Sequence, residues 1–258
     1  MALESQPWVA SELATPARDW CAPPSQPALP HELVHVWRAD LDVGAACASS
    51  LRCSLSADER GRGARFRFAR DRNRYFAGRG LLREILAKYL DVRGGQLRLR
   101  RASYGKPFVA GHDDLRFNVS HAGATMLVAV AYRREVGIDI EQIASHLSTE
   151  ELADTTLSPP ELSVLDAFRG EAKQAAFLGL WTRKEAYLKA DGRGLSLPVT
   201  DVDVTAPEGR VALWNESTGA WESSMRWMLQ TLAVGPEHVA ALAAEGRAWR
   251  FICFQWAG

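Results

Sequence analysis

The chain has 258 residues, 47% of them apolar and 24% charged, which excludes wholesale disorder and leaves room for one large domain or two modest halves. Its 31 Lys and Arg balance 31 Asp and Glu, so there is no global attraction to nucleic acid or anionic membrane, and any anion site must be local. Cys21, Cys47, Cys53 and Cys253 form no C-x-x-C pair and have no histidine at zinc-ligand spacing, which fits a reducing compartment. With no signal-peptide core and no apolar run of membrane-spanning length, a cytoplasmic protein is expected.

Six of the twelve prolines lie in the first thirty residues, so residues 1–32 are expected to be a loosely ordered extension. Alternation in Leu-Val-His-Val-Trp predicts a strand from Leu33, and Ser56 with Glu59 three residues on predicts a capping box that opens a helix. Tyr75, Leu82, Ile85, Leu86 and Tyr89 recur at helical spacing after Asp71, and the chain turns at Gly94 and Gly95. Strands are then expected at Gln96 to Arg100, Leu115 to Val119, Met126 to Tyr132 and Val136 to Glu141, a run that suggests an antiparallel sheet. Beyond Gln142 the order recurs: a helix from Ser158, a longer one from about Glu171 to Ala190, then strands to the end. The expected architecture is α+β in two helix-plus-sheet halves, 33–141 and 142–258.

Four features could carry chemistry. In Val136-Gly137-Ile138-Asp139-Ile140-Glu141, period-two alternation puts both carboxylates on one strand face and both isoleucines toward the core. Adjacent acids repel unless a cation lies between them, and a hard divalent ion such as magnesium prefers such oxygen ligands; a solvated polar face is the alternative. Trp181 to Lys189 lies on an amphipathic helix, where Glu185 and Lys189 share a face and would, as an exposed pair, contribute only about 0.3–0.5 kcal/mol. Lys184 falls on the buried stripe of that helix and needs a partner, whereas Gly192 is placed to cap its C-terminus.

The third feature is Arg60 to Arg83, with nine arginines and one carboxylate, which is either a solvated helix face or an anion-binding wall. The fourth is Tyr104-Gly105-Lys106-Pro107 followed by Asn118-Val119-Ser120-His121, where donors stand beside backbone bends.

Taken together, Tyr-Gly-Lys-Pro, Phe-Asn-Val-Ser-His, Gly-Ile-Asp-Ile-Glu, Trp-Thr-Arg-Lys-Glu-Ala-Tyr-Leu-Lys and Gly-Leu-Ser-Leu-Pro resemble the Sfp-type 4′-phosphopantetheinyl transferases in order and spacing, from about Ser56 to Val204. The resemblance implies two similar α+β halves related by a pseudo-twofold, with the active site between them. It implies transfer of the phosphopantetheine arm of coenzyme A to a serine of an apo acyl or peptidyl carrier protein, with release of adenosine 3′,5′-bisphosphate. By the matching motifs, Asp139, Glu141 and Glu185 would hold Mg2+ and Lys189 would contact the pyrophosphate, Asp139 and Glu141 coming from the first half. Tyr104, Gly105 and Lys106 would border the adenine end; Arg62 and Arg101 would face the nucleotide; Asn118, Ser120, His121, Asp139 and Lys189 complete the expected coenzyme A contacts.

Glu185, Lys189 and Glu161 are the candidate catalytic residues, although Ser158-Pro-Pro-Glu161 is also a capping box with proline in the first turn, the preferred reading of Glu161. A monomer that binds neither nucleic acid nor membrane is expected. The competing functions are a metal-dependent phosphohydrolase and an RNA-binding module that uses Arg60 to Arg83.

Overall fold

The alternating residues Leu33–Asp40 form the first strand, as their pattern dictates. The computed structural model describes residues 20–143 and 149–257. In chain order its elements are β1 (Leu33–Asp40), α1 (Ala45–Cys53), α2 (Ala57–Gly63), α3 (Ala69–Leu90), β2 (Leu99–Arg101), β3 (Pro107–Val109), β4 (Leu115–Ala122), β5 (Thr125–Tyr132) and β6 (Val136–Gln142). These are followed by α4 (Thr149–Thr156), α5 (Pro159–Leu165), α6 (Gly170–Asp191), β7 (Val202–Asp203), β8 (Arg210–Asn215), β9 (Ala220–Leu232), β10 (His238–Glu245) and β11 (Arg250–Gln255). The architecture is α+β, and among the described residues no helix is long and apolar enough to cross a membrane.

The chain divides into two units, Trp20–Arg134 with 248–257, and Glu135–Arg247. The boundary therefore falls at Arg134, before β6, and not after Glu141 as the sequence suggested. The cause is strand pairing: β6 hydrogen-bonds to β10, Asp139 lying opposite Ala241, and so belongs with the later residues. Of the expected N-terminal extension, residues 1–19 lie outside the described residues. Residues 20–32 hold no helix or regular strand, and only Cys21 bridges to Phe254.

In the first unit the sheet order is β11-β1-β5-β4. It is mixed and not antiparallel throughout, because β11 enters parallel to β1, Val36 opposite Cys253. A parallel neighbour cannot come from a tight hairpin, and here it comes from the far end of the chain. In the second unit the order is β6-β10-β9-β8-β7, antiparallel throughout. The same path recurs: a strand, later a 22-residue helix, then two antiparallel strands of which the second returns beside the first, β1-β5-β4 and β6-β10-β9.

Local signals hold where they are strong. Ser56 Oγ accepts from the Glu59 N–H at 3.2 Å and Glu59 Oε2 accepts from the Ser56 N–H at 2.9 Å, closing the capping box of α2. Gly192 ends α6 at φ +85°. The strand expected at Gln96 to Arg100 is the shorter β2, Leu99–Arg101, whereas sequence reading missed α1 and β3. Only Leu51 of α1 is buried, yet α1 lies close on α3, because a Cβ at Gly80 would stand 2.6 Å from Leu51 Cβ.

The helix side of the first sheet contains one buried polar knot. Trp37 Nε1 donates to the Tyr89 hydroxyl at 2.7 Å, which assigns the phenol hydrogen to His35 Nδ1, 2.9 Å away. His35 is 2% exposed, and burial lowers its pKa from 6.5 to about 4. A depressed folded-state pKa contributes stability that is present above 6.5 and lost as pH falls toward 4. Urea denaturation between pH 7 and pH 4 should therefore show a pH-dependent loss of about 3 kcal/mol in the native chain that is missing in His35→Gln. Equal slopes in the two proteins would exclude His35 as the titrating group.

Candidate active site

Gly137, Asp139 and Glu141 alternate along β6 and share one face with their cross-strand neighbours Ala243, Ala241 and Val239 of β10. Those three pack in the apolar cluster that includes Ala186, Tyr187 and Ala190 of α6. The carboxylate face of β6 is thus its helix side, and not the solvated polar face that was the alternative. Ile138 and Ile140 are also fully buried, on the opposite face.

Gly137 explains how carboxylates come to lie beside a core helix. A Cβ there would stand 2.1 Å from the Ala186 carbonyl oxygen and 2.4 Å from the Ala190 nitrogen, so only glycine permits this approach of strand to helix. The approach brings residues 185 and 189, flanking that contact, against the acids of β6. Lys189 Nζ lies 2.5 Å from Asp139 Oδ1 and 4.0 Å from Glu185 Oε2. Asp139 is 3% exposed, whereas the Glu185 and Lys189 side chains are 22% and 29% exposed. Lys189 therefore serves Asp139 more closely than its i−4 neighbour.

The electrostatics are those of an acidic cluster with too few cations. Burial raises the Glu141 pKa, the charges of Asp139 and Glu185 raise it further, and Lys189 opposes them. Burial likewise raises that of Glu185, against the pull of Lys189 and with a contribution from Asp139. Three carboxylates within mutual electrostatic reach, with one ammonium among them, are a donor set suited to a hard divalent cation. Among the described residues, no three His, Cys, Asp or Glu side chains are already gathered at metal-holding distance. Lys189 occupies the near side of Asp139 instead.

Of the two readings of Glu161, the structure shows the cap and speaks against the base. Glu161 is 0% exposed, and both of its oxygens are taken: Oε2 by the Ser158 N–H at 2.8 Å and Lys184 Nζ at 2.6 Å, Oε1 by the Val204 N–H at 3.0 Å. Lys184 also donates to the carbonyls of Thr156 and Val199, at 2.9 and 2.8 Å. This network ties α4, α5 and the 199–204 segment to α6. A group so enclosed cannot reach an incoming hydroxyl.

The remaining candidates lie in the first unit. Asn118 is buried within β4, while Ser120 and the exposed His121 stand near its end. Tyr104 and Gly105 form the turn between β2 and β3, Gly105 at φ +88°, and Tyr104 is 63% exposed. Lys106 closes that turn by accepting the Ala102 N–H at its carbonyl, at 2.9 Å, and Arg101 Nη1 donates to the Gly105 carbonyl at 2.9 Å. Arg62 is exposed on α2. A cavity of about 520 Å³ gathers His121 with Arg74, Tyr75 and Arg79, whereas Arg62, Arg101 and Tyr104 are not among its lining residues. Arg74 and Arg79 were not singled out from the basic stretch by sequence, since only the fold says which arginines turn inward.

Removing Glu161 would strand the Lys184 ammonium in the interior. Glu161→Ala should cost about 3–5 kcal/mol of stability in chemical denaturation. A variant that keeps native stability and loses only turnover would restore Glu161 as a candidate base.

Comparison with known proteins identifies the family. Residues 135–243 match the family model described as the 4′-phosphopantetheinyl transferase superfamily, and residues 45–133 match that for the 4′-phosphopantetheinyl transferase N-terminal region. The chain is 36% identical to the 4′-phosphopantetheinyl transferase HetI of Nostoc sp., over 90% of its own length and 95% of that protein. It is 31% identical to the 4′-phosphopantetheinyl transferase Sfp of Bacillus subtilis, over 62% of its own length and 70% of the relative. Among solved structures, a holo-(acyl-carrier-protein) synthase from Bacillus anthracis in complex with CoA (3′,5′-ADP) aligns at TM-score 0.33 and 21% identity, covering 44% of this chain and 96% of that one. The agreement in sequence with HetI over nearly the full length of both chains is decisive: this chain belongs to the 4′-phosphopantetheinyl transferase family.

Proposed function

We propose that this protein transfers the 4′-phosphopantetheine arm of coenzyme A to a serine hydroxyl of an apo acyl or peptidyl carrier protein. The serine oxygen forms a bond to the phosphorus that bears the pantetheine arm. The bond from that phosphorus to the bridging oxygen breaks, and adenosine 3′,5′-bisphosphate leaves. The observation that carries the reading is the acid cluster of β6 and α6, set in a chain of this family.

Asp139, Glu141 and Glu185 are the residues that would hold Mg2+, which neutralises pyrophosphate charge and stabilises the departing phosphate. Lys189, between Asp139 and Glu185, supplies an ammonium for a pyrophosphate oxygen. Glu185 is the remaining candidate for accepting the serine proton. In the first unit, the β2–β3 turn and the end of β4 offer Tyr104, Gly105, Lys106, Ser120 and His121 to the nucleotide, with Arg62 and Arg101 as further cations.

One chain supplies both the acid cluster and the basic cavity, so a monomer suffices. The cytoplasm, where coenzyme A and apo carrier proteins meet, is the expected location. Nothing favours a phosphohydrolase. The RNA-binding reading weakens because Arg74 pairs with Asp42, and Arg79 and Arg83 with Glu59, which depletes the basic row.

Incubation with an apo carrier protein, coenzyme A and Mg2+ should add one phosphopantetheine to the carrier by intact mass. Asp139→Ala and Glu185→Ala should each lower the rate by at least about 100-fold while keeping the circular dichroism of the native chain. No mass gain with any of several carriers would defeat the transferase reading.

The cluster also sets a pH dependence. Glu141 and Glu185 bind protons more tightly than a carboxylate of pKa 4.5, so the stability this confers is complete below 4.5 and lost as pH rises through their raised values. Binding of a cation runs the opposite way and weakens as pH falls through those values. Mg2+ titrations followed by calorimetry should lose affinity on acidification at a higher pH than an ordinary carboxylate would dictate, and Glu141→Gln should shift that midpoint downward. An unshifted midpoint would separate Glu141 from the cation site.

A further inference from the structure

We propose that the segment Arg65-Phe66-Arg67-Phe68, between α2 and α3, is a docking surface for an acidic face of the apo carrier protein. The inference deepens the transferase reading and rests on it for the identity of the partner.

The segment is held at both ends. The Arg65 and Phe66 N–H groups donate to the carbonyls of Arg62 and Gly63, both at 3.2 Å, which extends the last turn of α2. The Phe68 carbonyl accepts the Arg72 N–H at 3.1 Å and so opens α3. The Phe66 ring lies 5.2 Å from that of Tyr75, and the Arg67 guanidinium stands 5.4 Å from the Phe68 ring centre. Even so, Phe66 remains 37% exposed and Phe68 61% exposed.

Helix physics does not account for Phe68. It occupies the N-cap of α3, where Ser, Thr, Asp or Asn would accept a hydrogen bond from the first turn, and it makes no such bond. A large apolar side chain in that place forgoes cap stability and leaves its own ring in water. Single exposed apolar residues are ordinary, but these two are separated by one arginine and preceded by another, and aromatic rings with arginine are the composition enriched at protein interfaces.

Charge selects an acidic occupant. The chain as a whole is neutral, yet Arg65 and Arg67 are exposed and have no acidic partner among the described residues, whereas the neighbouring Arg70 is answered by Asp71 at 3.5 Å. Unanswered cations around an apolar ridge favour a partner that sets carboxylates around an apolar centre, and they speed its encounter by steering. A carrier-modifying transferase must hold a protein as its second substrate. Phe66 also lines the cavity that gathers His121, so a carrier seated on the ridge lies beside that cavity.

The test uses the full chain with coenzyme A and whichever apo carrier the native chain modifies fastest, and measures KM for the carrier and for coenzyme A separately. Phe68→Ser and the double variant Arg65→Glu/Arg67→Glu should each raise KM for the carrier about tenfold or more, with kcat and KM for coenzyme A close to native. The double variant should also flatten the decline of kcat/KM with rising NaCl, since the charges that salt screens are gone. All three side chains are exposed and Phe66 is left in place, so a native KM for coenzyme A certifies the fold and the cavity. Unchanged KM for the carrier in both variants overturns the docking surface, and so does a parallel rise in KM for coenzyme A, which would return the segment to the cavity. Unchanged carrier kinetics combined with lost binding to phosphatidylglycerol vesicles would assign the ridge to a membrane surface and overturn the proposal equally. Absence of transfer by the native chain defeats the proposed function and this surface with it, whereas native transfer with indifferent variants defeats the surface alone.

Discussion

The contact of Gly137 with the backbone of Ala186 and Ala190 is the constraint on which the acid cluster depends. A strand and a helix usually stand apart by the thickness of their side chains, which would hold Asp139 well away from Lys189. By removing one Cβ, the chain brings strand backbone against helix backbone, and short carboxylates can then share an ammonium with the helix. The reactive arrangement is a property of packing before it is one of charge.

The charged motifs divide their labour by helix face. On α6, Arg183 and Lys184 turn inward, Arg183 to the Val204 carbonyl and Lys184 to Glu161, and hold the 199–204 segment in place. Lys189, on the turn beside them, reaches Asp139 of β6, with Glu185 4.0 Å from its Nζ. The same division recurs on α3, where Arg83 is consumed in structure and Arg79 lies between its acid and the cavity. A buried ion pair contributes little net stability, but its loss of one partner is severe, so these pairs fix conformation more than they add stability.

Much of this was legible from the chain alone, and the reasons are local. The Ser56–Glu59 capping box, the Gly192 cap and the helical spacing from Tyr75 to Tyr89 depend on residues within a turn or two of each other. Family resemblance led to the expectation that Asp139 and Glu185 share a cation; Lys189 Nζ lies 2.5 Å from the first and 4.0 Å from the second. What failed to show were relations set by distant packing. Nothing near Val136 says that β6 pairs with β10, so the boundary was placed several residues late. Ile138 and Ile140 are buried as expected, but alternation cannot say which face a helix will cover when both are buried. Glu161 carries the same local signal whether it caps a helix or works as a base, and only its complete enclosure decides. Short elements such as β3 and α1 hold too few apolar residues for any period to emerge.

The last strand has a consequence for how the molecule is made. The β11 residues lie along β1, yet they leave the ribosome after the whole of the second unit has been synthesised. Until then one edge of the first sheet presents unpaired backbone groups, a surface prone to pairing with other chains. A newly made chain can thus complete its first unit only once residues 250–255 arrive, and a chain that stopped short of them would leave the earlier half open while sparing the acid cluster.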